Sequence, residues 1–249
     1  DALPLKSARR AARRVVMKTP AWMVLIWIWG LLCAPQAQAD WLAGAAEADI
    51  TPQSPVRLNG YGNRTTTHEG VAQRLFAKAL VLKWADEAPL VMLAVDNCGV
   101  PEAMRNEVIA QLKKAGVPLE SDRFALHSSH THCAPMLRGV LPFIFGKDLT
   151  PGEQAGVNAY SDFLVEAMVK VVQEAWEKRT PATLGWEIGQ VGFAKNRRKP
   201  SEKGFINDIH PDGPVDHDLP VLKVAGAEGR VRAIYTSYAC HCTALRMNQ

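Results

Sequence analysis

A buried-strand pattern, a helix and a second strand follow one another closely in the middle of this chain and restrict the folds open to it. Leu90–Val95 is a continuous apolar run, which is typical of a strand buried on both faces. Pro101–Ala115 repeats apolar residues at helical spacing, and Arg123–His127 predicts the next strand. Strand, helix and strand within about 35 residues indicate a βαβ-like unit.

The remaining segments extend this unit to an α/β fold. Five further strands are predicted, at Trp41–Ile50, Leu75–Trp84, Ala182–Phe193, Leu219–Val224 and Arg230–Ala239. The last two are expected to pair antiparallel. The predicted architecture is a mixed β-sheet with packed helices in a layered sandwich.

A second helix and two loops complete this outline. Thr150, Pro151 and Glu153 form a helix-start signal, and the helix is expected to reach about Lys178. Its expected core residues are Phe163, Leu164, Ala167, Val171, Val172 and Trp176. Turn-forming residues predict surface loops at 53–67 and 195–214.

Three of the seven histidines fall within the six residues His127–His132, directly after a predicted strand. Side-chain alternation along that strand would place His130 and His132 on the same side. Imidazole is the commonest metal ligand and the usual acid/base group near neutral pH, so two such rings could form half of a metal site. A hydrogen-bonded polar strand end is the alternative.

A second strand, Arg230–Ala239, also leads to a histidine, His241, which Cys240 and Cys242 flank. Imidazoles from two strand ends could converge on one zinc ion, which lowers the pKa of a bound water to about 7. A phosphate-binding or purely structural role for these histidines stays open. Thiolate ligation by the cysteines is also open, although buried thiols or disulfides are favoured.

Asp96 and Arg197 have two interpretations each. Asp96 ends the apolar run at the predicted sheet edge, where it could orient a ligand histidine or cap the following turn. Arg197 lies in the basic run Asn196–Lys199, which is most simply a solvated turn. Its functional alternative is a guanidinium directed at a developing oxyanion. Three other histidines are expected at the surface of loops, namely His68, His210 and His217.

Residues 1–39 have the layout of an export leader, and residues 40–249 are expected to form the mature domain. Basic residues precede the apolar run Ala21–Leu32, and Ala37-Gln38-Ala39 is a small-x-small cleavage pattern. An uncleaved anchor is less favoured, because a membrane span takes about 20 residues. Arg13-Arg14 loosely resembles a twin-arginine signal, and Cys33 a lipoprotein site. All these alternatives predict a secreted or periplasmic protein.

The net charge of +4 arises from that leader. Without residues 1–39 the chain has 23 basic and 24 acidic side chains, so it offers no electrostatic case for binding nucleic acid. Four cysteines follow the leader and could form two disulfides in an oxidising compartment, namely Cys98, Cys133, Cys240 and Cys242.

Five segments, in order along the chain, resemble motifs of the neutral/alkaline non-lysosomal ceramidases. They are Gly44–Pro52, Ser129–Pro135, Lys195–Arg197, Val215–Lys223 and Ala239–Thr243. The second is similar to the family's His-Thr-His-Ser-Gly-Pro motif, the third to its Asn-Arg motif and the fifth to its Val-His-Gly-Thr motif. The chain departs from these motifs by having cysteine or alanine at Cys133-Ala134 and Cys242.

That family hydrolyses the amide bond of ceramide with one zinc ion and no serine nucleophile. The resemblance therefore implies Zn2+ as cofactor, His130 and His241 as its ligands, and attack by zinc-activated water. It also implies that His132 polarises or protonates beside the metal and that Arg197 contacts the scissile region. A ceramide-like lipid is the implied substrate, with a membrane surface as one place to meet it.

The family's zinc has two further ligands, a glutamate and a tyrosine, from well downstream of the second histidine motif. The chain is therefore expected to be an amino-terminal portion of such a hydrolase, and inactive alone if those ligands are needed. The alternative is a divergent short protein whose site is completed by other residues. Two other functions stay open. One is a zinc hydrolase of another amide or ester on the same scaffold, and the other is a non-catalytic exported binding domain.

Overall fold

The structure is a computed structural model that describes residues 41–140 and 148–243. The predicted leader, 1–39, lies outside the described residues. Within the described ranges the strands are β1 Trp41–Asp49, β2 Phe76–Trp84, β3 Leu90–Val95, β4 Phe124–Ser128, β5 Thr180–Gln190, β6 Arg198–Ser201, β7 Gly204–Asn207, β8 Asp218–Ala225 and β9 Val231–Thr236. The α-helices are α1 Glu102–Lys114 and α2 Pro151–Glu177. Neither described helix combines the length and apolarity that a bilayer crossing needs.

Seven strands form one sheet in the order β4-β3-β2-β1-β5-β8-β9. Among the described strands, β3 and β4 are parallel neighbours, and the other neighbours in this sheet are antiparallel. Helix α2 packs across β1 and β2, α1 packs against α2, and buried residues of both helices share one core with the strands. The predicted α/β class, with a mixed sheet and packed helices, is confirmed.

The βαβ unit is present as β3, α1 and β4. The four residues predicted for the apolar face of α1 are all buried, namely Met104, Val108, Ile109 and Leu112. Strand β3 alternates along its length, with Val91, Leu93 and Val95 fully buried and the residues between them partly covered. Burial is therefore complete on only one face of β3. Because β3 and β4 are parallel, their carboxyl ends meet at one edge of the sheet.

Helix α2 begins with the predicted cap. Thr150 accepts a hydrogen bond from the backbone N–H of Glu153, and the Glu153 carboxylate accepts one from the backbone N–H of Thr150. Leu164, Val171 and Val172 are buried as predicted, and two residues are partly buried, namely Ala167 and Trp176. The assignment of Phe163 to the core is wrong, since it lies at the margin of the buried stripe and is 36% exposed.

A glycine allows α2 to approach the sheet. A Cβ atom on Gly44 of β1 would lie 1.9 Å from the carbonyl oxygen of Ala175 near the end of α2. No larger residue fits there without moving the helix backbone. Gly44 therefore sets the close packing of the helix layer on the strands.

The basic segment 195–214, expected to be loop, contains a hairpin. Strands β6 and β7 pair antiparallel at four positions, and all their residues are exposed. Hairpins without a buried face lack the apolar alternation by which strands are recognised in a sequence. The antiparallel pair predicted at 219–224 and 230–239 is confirmed as β8 and β9.

Candidate metal centre

Three imidazole rings meet beside the carboxyl ends of β3 and β4. Nε2 of His132 lies 3.4 Å from Nε2 of His130 and 2.8 Å from Nε2 of His241. The ring centroids of His130 and His241 are 4.5 Å apart. These residues, called here the histidine centre, come from two segments more than 100 residues apart in the chain.

A turn, and not strand alternation, brings His130 and His132 together. Strand β4 ends at Ser128, so the expected alternation does not reach either residue. His130 instead adopts a φ of 58°, in the left-handed region that residues other than glycine seldom occupy. In the turn that this conformation begins, the ring centroids of His130 and His132 lie 5.0 Å apart. Unusual backbone of this kind is found disproportionately at functional sites.

A carbonyl oxygen fixes the orientation of the His130 ring. Nδ1 of His130 lies 2.6 Å from the carbonyl oxygen of Cys98, and only a protonated Nδ1 can donate to that oxygen. Nε2 is then the unprotonated nitrogen and is directed at the other two rings. Histidines that bind a metal through Nε2 usually donate Nδ1–H to a carbonyl or carboxylate oxygen, which fixes the ring and leaves Nε2 unprotonated.

The donor set and its spacing suit a divalent metal ion. Two nitrogens bound to a tetrahedral zinc at about 2.0–2.1 Å are about 3.3 Å apart. The Nε2 separations from His132, 3.4 Å to His130 and 2.8 Å to His241, are of this size, and the rings of the expected ligands His130 and His241 lie 4.5 Å apart between centroids. Imidazole is a good ligand for zinc, so the residues present fit the cofactor expected from the sequence.

His132 is held on several sides. It is 8% exposed, the Tyr61 ring packs against it edge-on, and Arg64 donates a hydrogen bond of 2.8 Å to its carbonyl oxygen. Gly60 has a φ of 97°, and a Cβ there would lie 2.5 Å from Cγ of His132. Burial, followed by the proximity of His241 and His130, lowers the pKa of His132. The ring is thus favoured in its neutral form, which can bind a metal or accept a proton.

His241 is delivered by the loop after β9, five residues beyond the end of the strand. The thiol of Cys242 donates to the carbonyl oxygen of Ser129 at 2.9 Å, which ties this loop to the turn carrying His130. Burial lowers the pKa of His241, and the neighbouring His130, Arg198 and Arg197 lower it further. Both arginines are exposed, and their positive charges act on His241 electrostatically.

His127 and Asp96, which the sequence places at the same sheet edge as the histidine centre, make contacts with residues outside that centre. The ring of His127 lies against Tyr235 at 5.3 Å between centroids, away from the other histidines, and burial lowers its pKa.

The carboxylate of Asp96 accepts a hydrogen bond of 2.9 Å from the backbone N–H of Phe76. Asp96 therefore prolongs the pairing of β2 and β3, and neither alternative considered for it is observed. His68, His210 and His217 lie in loops as expected, but each is only partly exposed.

The segment 53–67 is not simply a surface loop. Arg57 is 1% exposed, and its guanidinium donates to Glu153 at 3.1 Å and to the carbonyl oxygen of Arg64 at 2.7 Å. Arg64 in turn holds His132. A chain of polar contacts thus joins the capped start of α2 to the histidine centre. The signal available in the sequence was the glycine-containing run Asn59–Asn63, because Gly60 allows the close approach to His132.

This chain of contacts predicts an acid-dependent loss of stability. The backbone N–H of Thr150, then Arg57, lower the pKa of Glu153 from 4.5 to about 2. Because the folded pKa is depressed, the stabilisation is complete above pH 4.5 and is lost as the pH falls towards 2. Glu153→Gln should therefore flatten the dependence of the unfolding free energy on pH between 5 and 3, measured by urea denaturation.

The matched control is Glu166→Gln, an exposed glutamate on the same helix. It should preserve the steeper wild-type dependence on pH. A wild-type slope that Glu153→Gln leaves unchanged would contradict the role of this carboxylate.

All four cysteines after the leader are free thiols, so the disulfide alternative is not what the structure contains. The sequence suggested as possible ligands the three cysteines that adjoin histidines in the chain, namely Cys133, Cys240 and Cys242. The thiol that joins the histidines in space is Cys98. Its Sγ lies 3.7 Å from Nδ1 of His130.

The fold and site together define an α/β protein with a histidine-based candidate metal centre at the edge of its parallel strand pair. The sequence profile of the family "Neutral/alkaline non-lysosomal ceramidase, N-terminal" matches residues 41–249. The chain belongs to that family.

Individual relatives agree with this assignment. Over 238 residues the chain is 31% identical to the neutral ceramidase of Drosophila pseudoobscura pseudoobscura, covering 90% of this chain and 32% of the relative. It is 23% identical over 216 residues to neutral ceramidase 1 of Arabidopsis thaliana, covering 84% and 27%. The chain thus spans about a third of the length of these relatives.

The fold is also that of a solved structure. Neutral ceramidase from Pseudomonas aeruginosa superposes with a TM-score of 0.64 at 22% sequence identity, covering 82% of this chain and 32% of the other. At this level of identity the similarity concerns the fold.

Proposed function

We propose that this chain is the amino-terminal part of an exported, zinc-dependent ceramidase that hydrolyses the N-acyl amide bond of ceramide to sphingosine and fatty acid. The observation that carries the proposal is the convergence of three Nε2 atoms from two separate segments of a ceramidase-family chain. The leader layout of residues 1–39 supports export. The lipid nature of ceramide makes a membrane surface the expected place of action.

His130 and His241 would hold the zinc ion through Nε2. When bound, such an ion supplies Lewis acidity, which makes a water molecule acidic and polarises a carbonyl group. His130 is prepared for this role by its hydrogen bond to Cys98, and His241 by the burial that lowers its pKa.

His132 would move the proton. Its neutral, buried imidazole can accept a proton from the attacking water and return it to the amine nitrogen as the C–N bond breaks. The water oxygen forms the new bond to the acyl carbon, so the products are a carboxylic acid and an amine. Arg197 would donate hydrogen bonds to the oxyanion that develops on the former carbonyl.

The proposal is tested by the choice of substrate and by metal removal. The complete protein, of which this chain is proposed to be the amino-terminal part, is expected to release fatty acid from ceramide faster than from a simple N-acyl amine with the same acyl chain. Dialysis against a chelator should abolish release, and stoichiometric Zn2+ should restore it.

Two outcomes would count against this function. Faster hydrolysis of the simple amine would favour another amide or ester as substrate of the same scaffold. Ceramide hydrolysis that survives the chelator with no zinc in the protein would remove the metal from the reaction.

A further inference from the structure

We infer that the exposed hairpin segment, residues 193–209, is the surface by which the complete protein contacts an anionic lipid bilayer. This inference rests on the proposed function, because a ceramidase has to meet its lipid substrate at a membrane. It goes beyond that proposal by assigning the contact to one element of the fold. The segment consists of strands β6 and β7, the turn between them and the residues on either side.

Four large apolar side chains of this segment are exposed to solvent. Phe205 and Ile206 of β7 are 69% and 49% exposed, and Phe193 and Ile209 at the two ends are 66% and 52% exposed. Every residue of β6 and β7 is exposed, so the described part of the chain gives this hairpin no core. An isolated two-stranded hairpin is only marginally stable in water, and exposed apolar patches mark contacts with proteins or membranes. The segment is therefore suited to a partner that covers it.

The segment also concentrates the positive charge of the domain. Residues 193–209 carry five basic and two acidic side chains, whereas residues 40–249 as a whole carry 23 and 24. The segment therefore has a net charge of +3 within a domain of net charge −1. Basic side chains beside exposed apolar ones are typical of segments that lie at the surface of an anionic bilayer, where the lipid headgroups attract them.

The arrangement of the side chains favours a bilayer over the surface of another protein. Register partners of an antiparallel pair lie on the same face, and in this hairpin they include Pro200 with Phe205 and Lys199 with Ile206. The two pairs are adjacent along the strands and therefore lie on opposite faces. Each face thus carries one exposed apolar side chain of β7. Docking on a folded protein would bury one face, whereas lipid headgroups can surround both.

Contacts at its base connect the hairpin to the loop that carries His241. The backbone N–H of His210 donates to the carbonyl oxygen of Asn196 at 2.9 Å, which closes the base. The ring of Phe193 packs on that of Tyr238 with 4.7 Å between centroids, and Tyr238 lies three residues before His241. The proposed oxyanion donor directly follows Asn196. Contact of the hairpin with a bilayer would therefore bring the site to the surface at which ceramide is found.

Vesicle binding and hydrogen exchange of the complete protein test this inference. Vesicles of mixed phosphatidylcholine and phosphatidylglycerol should bind the protein and slow the exchange of backbone amides at 198–209. Phe205→Ser together with Ile206→Ser should weaken this binding at least about tenfold, because two apolar side chains lose their burial in the interface. Lys203→Gln should weaken binding to the mixed vesicles about fivefold and leave binding to pure phosphatidylcholine unchanged.

The matched control is Ile234→Ser. Ile234 of β9 is 63% exposed, more than Ile206, but it lies outside the hairpin segment. This variant should bind the mixed vesicles as tightly as the wild type. The leader is the same in every variant, so differences among them report on the hairpin.

Two results would overturn the inference. One is equal vesicle binding by the wild type and the double serine variant. The other is slow exchange at 198–209 that vesicles leave unchanged, since the rest of the complete protein would then cover the hairpin. Neither measurement involves hydrolysis, so an inactive protein that binds vesicles through the hairpin would count against the proposed function alone. The double variant should keep the wild-type zinc content and the wild-type rate on a water-soluble, short-chain ceramide.

Discussion

Replacing His241 by alanine in the complete protein, which would carry the further zinc ligands expected downstream, is expected to abolish metal binding and ceramide hydrolysis together. Its Nε2 lies 2.8 Å from Nε2 of His132, and its loop brings the ring to the centre from the end of β9. Loss of a residue that only supports a ligand costs ten- to a hundredfold in metal affinity, so loss of a ligand should cost at least about a hundredfold. Hydrolysis should fall at least about a thousandfold. Zinc content after gel filtration and fatty acid release measure the two effects.

The matched control is His68→Ala. The described side-chain contact of His68 is with the carbonyl oxygen of Ser54, not with the histidine centre. This variant should keep about one zinc per chain and a near-wild-type rate. If His241→Ala also kept its zinc and its rate, His241 would not be a ligand, and the histidine centre would have a structural role.

The elements that the sequence predicts correctly are those with a buried face. Strands β2 and β3 and helix α1 bury apolar residues at the spacing of their secondary structure, so their pattern is visible in the chain. The capping box at Thr150 is similarly local, because all its atoms lie within four residues. The β6–β7 hairpin escapes prediction since it buries nothing, and Phe163 is misplaced because a helical pattern does not define the exact edge of a buried stripe.

The candidate site is predictable in its residues but not in its geometry. The sequence brings attention to His130, His132 and His241, and the structure does bring their rings together. The expected reason, strand alternation, is wrong, because a left-handed turn at His130 is a property of backbone conformation that no apolar pattern records. Cys98 stands 32 residues before His130, and only the parallel pairing of β3 and β4 makes them neighbours.

The supporting loop presents the same difficulty. Arg57 and Asn59 occur in a turn-rich, polar stretch, which predicts exposure, yet both are 1% exposed. Their positions depend on partners far along the chain: the Arg57 guanidinium donates to Glu153, and the backbone N–H of Asn59 donates to the carbonyl oxygen of Ala134. Long-range hydrogen bonds of this kind allow polar residues to be buried, and composition alone cannot reveal them.

Arg197→Ala is expected to reduce the turnover number for ceramide by about a hundredfold to a thousandfold, the usual cost of losing one oxyanion donor. KM and zinc content should change by no more than a few fold, because the guanidinium would act on charge that develops during the reaction. Arg197→Lys should restore little, since a lysine ammonium lacks the planar fork of donors. Steady-state kinetics of the three proteins, at equal zinc loading, measure these effects.

Arg198→Ala is the control that separates a specific donor from a general positive field. Both guanidiniums lower the pKa of His241, Arg198 more than Arg197, so removing either one weakens the positive field at the histidine centre. Arg198 belongs to β6 and is a register partner of Asn207, whereas Arg197 precedes the strand in the Asn-Arg motif. Arg198→Ala should therefore keep its turnover number within a few fold of wild type. Equal losses in the two variants would assign the effect to the field of the basic run, and a larger loss in Arg198→Ala would transfer the donor role to Arg198.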